Sequence, residues 1–124
     1  MEEAFRELND PRFAAPLESF RAAMAAYEDR PQLGRDACKN IMDAMEGVAK
    51  EIFQMPRATF GDVLAEARRR QTLAPETIGV LQKLYHMANN HFRHGMGTPF
   101  ALKKVEVDFV LVTCLAGILL FVRL

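Results

Sequence analysis

Apolar residues recur at helical period along nearly the whole chain. Phe13, Leu17, Phe20, Met24 and Tyr27 follow one another at spacings of four, three, four and three, which puts them on one stripe of a helix. Pro11 and Pro16 limit where that helix begins. The stretch DRPQLG, Asp29 to Gly34, reads as a turn. A second helix is predicted from about Asp36 to Phe53, with Ala37, Ile41, Met45, Val48 and Ile52 inward. Gly47 weakens it by about 1 kcal/mol relative to alanine and marks a candidate close crossing of two helices.

Met55, Pro56 and Arg57 end that helix. Thr59 and Asp62 then form an N-cap pair for a short third helix with Phe60, Val63, Leu64 and Ala67 inward. It closes on Arg68, Arg69 and Arg70, cations suited to the negative helix end. Pro75 fits the first turn of a fourth helix, whose stripe is Ile78, Leu81, Tyr85, Ala88 and Phe92. Gly95 to Pro99 form a loop. A last helix starts near Lys103 and is apolar nearly all round, which predicts a central position, with Leu115 and Leu119 in the core. No convincing strand alternation occurs. The expectation is an all-α fold, a compact bundle of four to five helices, forming one domain over 1–124. Its N-terminal helix (1–30) would pack on a core spanning 35–124.

Composition narrows the function without naming it. Sixteen basic and sixteen acidic residues cancel, so no global positive field attracts nucleic acid or anionic membrane, and any such binding must come from a local patch. Cys38 and Cys114 are too few and too far apart for a disulfide framework or a paired zinc site, and both lie in apolar helical patterns. No signal-peptide pattern opens the sequence, so the expected location is cytoplasmic. The uncharged run Phe109 to Val122 is shorter than the roughly twenty apolar residues of a spanning helix. A buried core helix fits it better than an anchor, and no membrane association is expected.

Candidate chemistry is concentrated at one place. His86, His91 and His94 are the three histidines of the chain, and Asn89, Asn90 and Arg93 lie among them, at a helix end beside the glycine loop. Two imidazoles and an amide make a poor ligand set, so neither a metal site nor a cofactor is expected. No serine is near, and Cys114 lies in an apolar helix where its thiolate is disfavoured. As a phosphate or RNA site the cluster is more coherent. A guanidinium such as Arg93 holds a phosphodiester through paired hydrogen bonds, and an imidazole exchanges a proton with a ribose hydroxyl or leaving oxygen. The bland alternative is a polar helix end whose histidines cap backbone carbonyls.

From about Asp36 onward the chain resembles the HEPN superfamily of small helical domains, in the variety found at the C-terminus of bacterial abortive-infection proteins. The pieces that carry the resemblance are DACKNIMDAMEGVAKEIF, TFGDVLAEA, LAPET, FRHG and VEVDFVLVTCLAGILLFV, in the same order as in that family. The resemblance implies a helical bundle, commonly a homodimer, acting on RNA in phage defence or a toxin system. Active members are metal-independent ribonucleases, in which an arginine and a histidine a little over one helical turn later meet their symmetry mates. Arg93, His94 and Gly95 match the family's Arg-His-Gly element, which makes Arg93 and His94 the candidate catalytic pair. His86, Asn90 and His91 are the candidate RNA or phosphate contacts. Arg93 is followed directly by His94, and the position one turn on falls at Thr98 to Phe100, so the catalytic interval itself is not matched. Two readings follow: a domain engaging RNA or nucleotide, and a catalytically inactive helical module that dimerises or docks a sensor or effector protein.

Overall fold

A computed structural model describes residues 2–29, 34–93 and 102–124, with only the backbone described for Asp29 and Arg93. The described residues form α1 (Glu2–Glu7), a 3-10 turn (Pro11–Phe13), α2 (Ala14–Asp29), α3 (Gly34–Phe53), α4 (Phe60–Arg69), α5 (Pro75–Ala88), a π-helical turn (Asn89–Arg93) and α6 (Lys104–Val122). No strand occurs among them, and the fold is an all-α bundle.

The centre of the bundle is α3. Ala37, Cys38, Ile41, Met42, Ala44, Met45, Val48 and Ala49 have no exposed surface, so more than one stripe of this helix is covered. Helix α2 runs back along it, and Gly47 is where they meet. A Cβ built there would lie 2.9 Å from Cγ of Pro16. The glycine that costs helix propensity is therefore the one that lets the two helices approach. Helix α6 lies on another side and runs parallel to α3: Val107 sits against Gly34, the Cys114 thiol is 3.9 Å from the Met42 sulfur, and Phe121 meets Phe53 edge-on at 6.4 Å. A side chain at Gly117 would collide with the Met45 sulfur, so this contact also depends on a missing Cβ.

The local signals behave as their chemistry dictates. Thr59 and Asp62 form a reciprocal capping box at the start of α4, each side chain accepting from the other's backbone N–H, at 3.1 and 3.2 Å. Helices α3 and α4 end alike. Gln54 and Gln71 both adopt the left-handed conformation (φ 56°), and Met55 and Thr72 donate back to the carbonyls of Lys50 and Ala67. At the end of α4, Arg69 and Arg70 both bond the Glu66 carboxylate and hold it down at a pKa of about 2.

The acidic start of the chain is helical: α1 turns Ala4, with Leu8 just after it, into the core, and Arg123 at the end of α6 bonds Glu3 and reaches Glu7. One expectation is corrected: the apolar closing helix is not the central, shielded one. It buries Val107, Val110, Leu111, Cys114, Gly117, Ile118 and Phe121, while Leu115 and Leu119 are only half-buried. On the opposite face Val105, Phe109 and Val112 are 70, 65 and 66% exposed. Being apolar all round, α6 offered no moment from which an inward face could be read.

By length and composition α6 is apolar enough to cross a membrane. Its uncharged part is only about 21 Å long at 1.5 Å per residue, against a hydrocarbon core of about 30 Å. Drawing it into lipid would also strip α3 of Val107, Cys114 and Phe121.

The burial pattern fixes a stability order. Ile118→Ala should lose about 2–5 kcal/mol, as a fully buried aliphatic truncation does. Leu119→Ala, half-buried on the next position, should lose only about 1 kcal/mol. Urea unfolding of the two variants measures both, and equal losses would show that α6 is covered on all sides.

Candidate functional site

The histidine-bearing segment is the end of α5 and the π-helical turn that follows it. Ile78, Leu81, Leu84 and Ala88 hold α5 against the bundle, and Phe92 continues the anchor, 2% exposed. Between Ala88 and Phe92 the helix widens into its π turn, a distortion that recurs at functional sites because it re-aims side chains without ending the helix. His86 and Asn90 are exposed, while Asn89 and His91 are half-buried. The Nδ1 atom of His91 is withdrawn from solvent. Of the predicted phosphate contacts, His86 and Asn90 thus share an outward face, and His91 turns partly inward. Arg93 closes the π turn with its backbone. Its side chain and the whole of His94 lie outside the described residues, as does the Gly95 to Pro99 loop.

The last described carbonyls of this turn include one that accepts from a residue the sequence reading did not single out. Arg35, in the first turn of α3, donates from Nε to the Phe92 carbonyl at 3.3 Å across a sequence separation of 57. A cation at the N-terminal end of a helix is locally unfavourable, because it faces the positive end of the macrodipole. That local conflict is offset by the tertiary bond, and it was the one signal available in advance. The bond uses Nε and ties the start of α3 to the end of the π turn.

Other chemistries find little support. Among the described residues no group of three or more His, Cys, Asp or Glu is placed to hold a metal ion. Cys38 is fully buried, and the loss of solvation pushes its thiol up to about 12, so it carries no thiolate at neutral pH. Cys114 is buried against Met42. Both cysteines pack as small hydrophobes, as their sequence context predicts.

At the far edge of this end of the bundle, Tyr27 of α2 donates to the Asp108 carboxylate, and Lys104 donates to both, 3.2 Å from the phenol oxygen and 3.0 Å from Asp108 Oδ2. The Tyr27 hydroxyl first and Lys104 second hold the Asp108 carboxyl below its ordinary pKa. This triad ties the end of α2 to the start of α6.

No protein-family model, curated protein or solved structure matches this chain. The HEPN likeness rests on the ordered sequence pieces alone.

If Arg35 holds the turn, Arg35→Ala should speed amide exchange at Asn89 to Arg93 by about tenfold, the equivalent of one net hydrogen bond to a charged group. Exchange in α4 should not change. Hydrogen exchange read by NMR or mass spectrometry distinguishes this from unchanged rates in the turn, which would make the bond incidental.

Proposed function

We propose that this chain is a HEPN-like helical domain of a phage-defence or related stress system, and that it engages RNA or nucleotide through the end of α5. The observation that carries the reading is the joint exposure of His86 and Asn90 on a π-distorted helix end that is anchored by Phe92 and bonded by Arg35. A phosphodiester needs cationic and amide donors held in fixed relation, and it needs them at the surface. Arg35, bonded to the Phe92 carbonyl, would supply one guanidinium at the base of the turn. Arg93, at the end of the turn, would bring a second. In a cleavage reaction Arg93 would hold the phosphate, and His94 would accept the ribose 2′-hydroxyl proton or return one to the leaving 5′-oxygen. Asn90 and His86 would orient the strand.

A second reading has its own support. The arginine-to-histidine interval of active ribonucleases is not matched, net charge is zero, and α6 presents a bare apolar face. Those features favour a catalytically inactive module that works by dimerisation or by docking a sensor or effector chain.

The readings separate in one experiment. Fluorescence anisotropy with single-stranded RNA at low salt should give saturable binding, weakened about tenfold by Arg93→Ala and about three- to tenfold by His86→Ala or Asn90→Ala. Each lost phosphate contact should also lower the salt slope by about one. Cleavage of the same RNA by wild type and not by Arg93→Ala or His94→Ala would establish the nuclease. Binding that is absent in the wild type, or equal in every variant, would remove RNA from the account and leave the interaction module.

A further inference from the structure

Four of the nine sulfur-bearing side chains in this chain (seven methionines, two cysteines) lie fully buried on α3 and α6. Three of them sit where the two helices touch. The Cys114 thiol donates to the Met42 sulfur at 3.9 Å, and the Met45 sulfur fills the notch left by the missing side chain at Gly117. Cys38, one helical turn before Met42, follows the same stripe of α3. Methionine fills gaps in many cores, but a thioether laid against a thiol also brings two soft donors to one point.

Ligand chemistry decides which ion such donors suit. Among the described residues no trio of His, Cys, Asp or Glu comes together, so zinc and calcium lack their donor sets. Thiolate and thioether sulfur select soft ions, Cu(I) among them. We infer that Cys114, Met42 and Met45 form a site for one monovalent soft cation, Cu(I), between α3 and α6.

The geometry fits a three-coordinate ion. Sulfur stands about 2.3 Å from a first-row ion such as zinc, and at that distance a pair 3.9 Å apart subtends about 116°. That is close to the opening of a trigonal site, so the two sulfurs share an ion without moving. Met45 lies three residues beyond Met42 on α3 and touches α6 three residues beyond Cys114. Its unbranched side chain has the rotatable bonds to swing its sulfur out of the Gly117 notch towards the ion.

Charge fixes the valence. On binding, Cys114 gives its proton to solvent and its sulfur lone pair to the ion, and copper stays Cu(I) throughout. One thiolate, two thioethers and one monovalent cation leave no net charge in an apolar interface. A divalent ion would leave a buried positive charge, and a second thiolate from Cys38 a negative one, and burial penalises both. No donor has exposed surface, so the ion enters only when α6 parts locally from α3. Once bound, it clamps those helices together.

Cu(I) presented without oxygen as its bicinchoninate complex tests the site, and RNA plays no part in the readout. Wild type should withdraw one equivalent from the chelator. It should also melt at a higher temperature with the ion than without it, because the folded state is the one that binds. Met42→Leu and Met45→Leu conserve apolar volume, and each should weaken uptake by about tenfold or more while the copper-free melt stays close to wild type. Cys38→Ala should still take up one equivalent. Failure to withdraw copper overturns the proposal, and so does a melt lowered by it, since thiols of the unfolded chain would then be the binders. Uptake of two equivalents, or indifference to either leucine variant, shows thiols acting singly and overturns it as well. Loss of binding in Cys38→Ala overturns the single-thiolate donor set.

Discussion

The close lengthwise packing of α6 on α3 is the contact on which the rest of the molecule depends. It is possible because Gly117 leaves room for the Met45 sulfur, and it is continued by Cys114 on Met42 and Phe121 on Phe53. On the opposite flank Gly47 admits Pro16 of α2. With both neighbours drawn in so tightly, α3 becomes the helix that all layers share. Its N-terminal end then carries the base of the α5 turn through Arg35, and its C-terminal end meets Phe60 of α4 through their common neighbour Phe121.

This geometry explains why the two functional candidates occupy different surfaces. The α5 turn is polar and bonded by the Arg35 guanidinium. The outer strip of α6 is apolar. Neither surface is needed to complete the core, since Phe92 and the inner face of α6 already do that. A fold that exposes side chains its own core does not require has them available for something else.

Much of the fold was legible from residue spacing. The stripes of α3, α4 and α5 are the buried ones, apart from the half-buried Ile52 and Tyr85. The Thr59–Asp62 box and the close crossing at Gly47 follow from local chemistry alone. Legibility ended where that chemistry is symmetric or remote. Helix α6 has no polar face to point outward, so its inner and outer sides could be told apart only by what packs on them. Helix α1 is short and acidic, with only Ala4 inward, and its anchor is Arg123 at the other end of the chain. At the site, a spacing of four between Ala88 and Phe92 fits either an α or a π turn. The histidine cluster stood out because its residue types are rare elsewhere in the chain, but the bond from Arg35 joins residues 57 positions apart, and periodicity is blind to that.

Native-state hydrogen exchange across the whole chain tests most directly whether α3 is the shared centre. The account predicts that amides from Ile41 to Val48 exchange only through global unfolding, more slowly than any in α6, α2 or α5. Slower exchange in α6 than in α3 would contradict it, because the closing helix would then be the centre and its outer strip would be covered by its own chain.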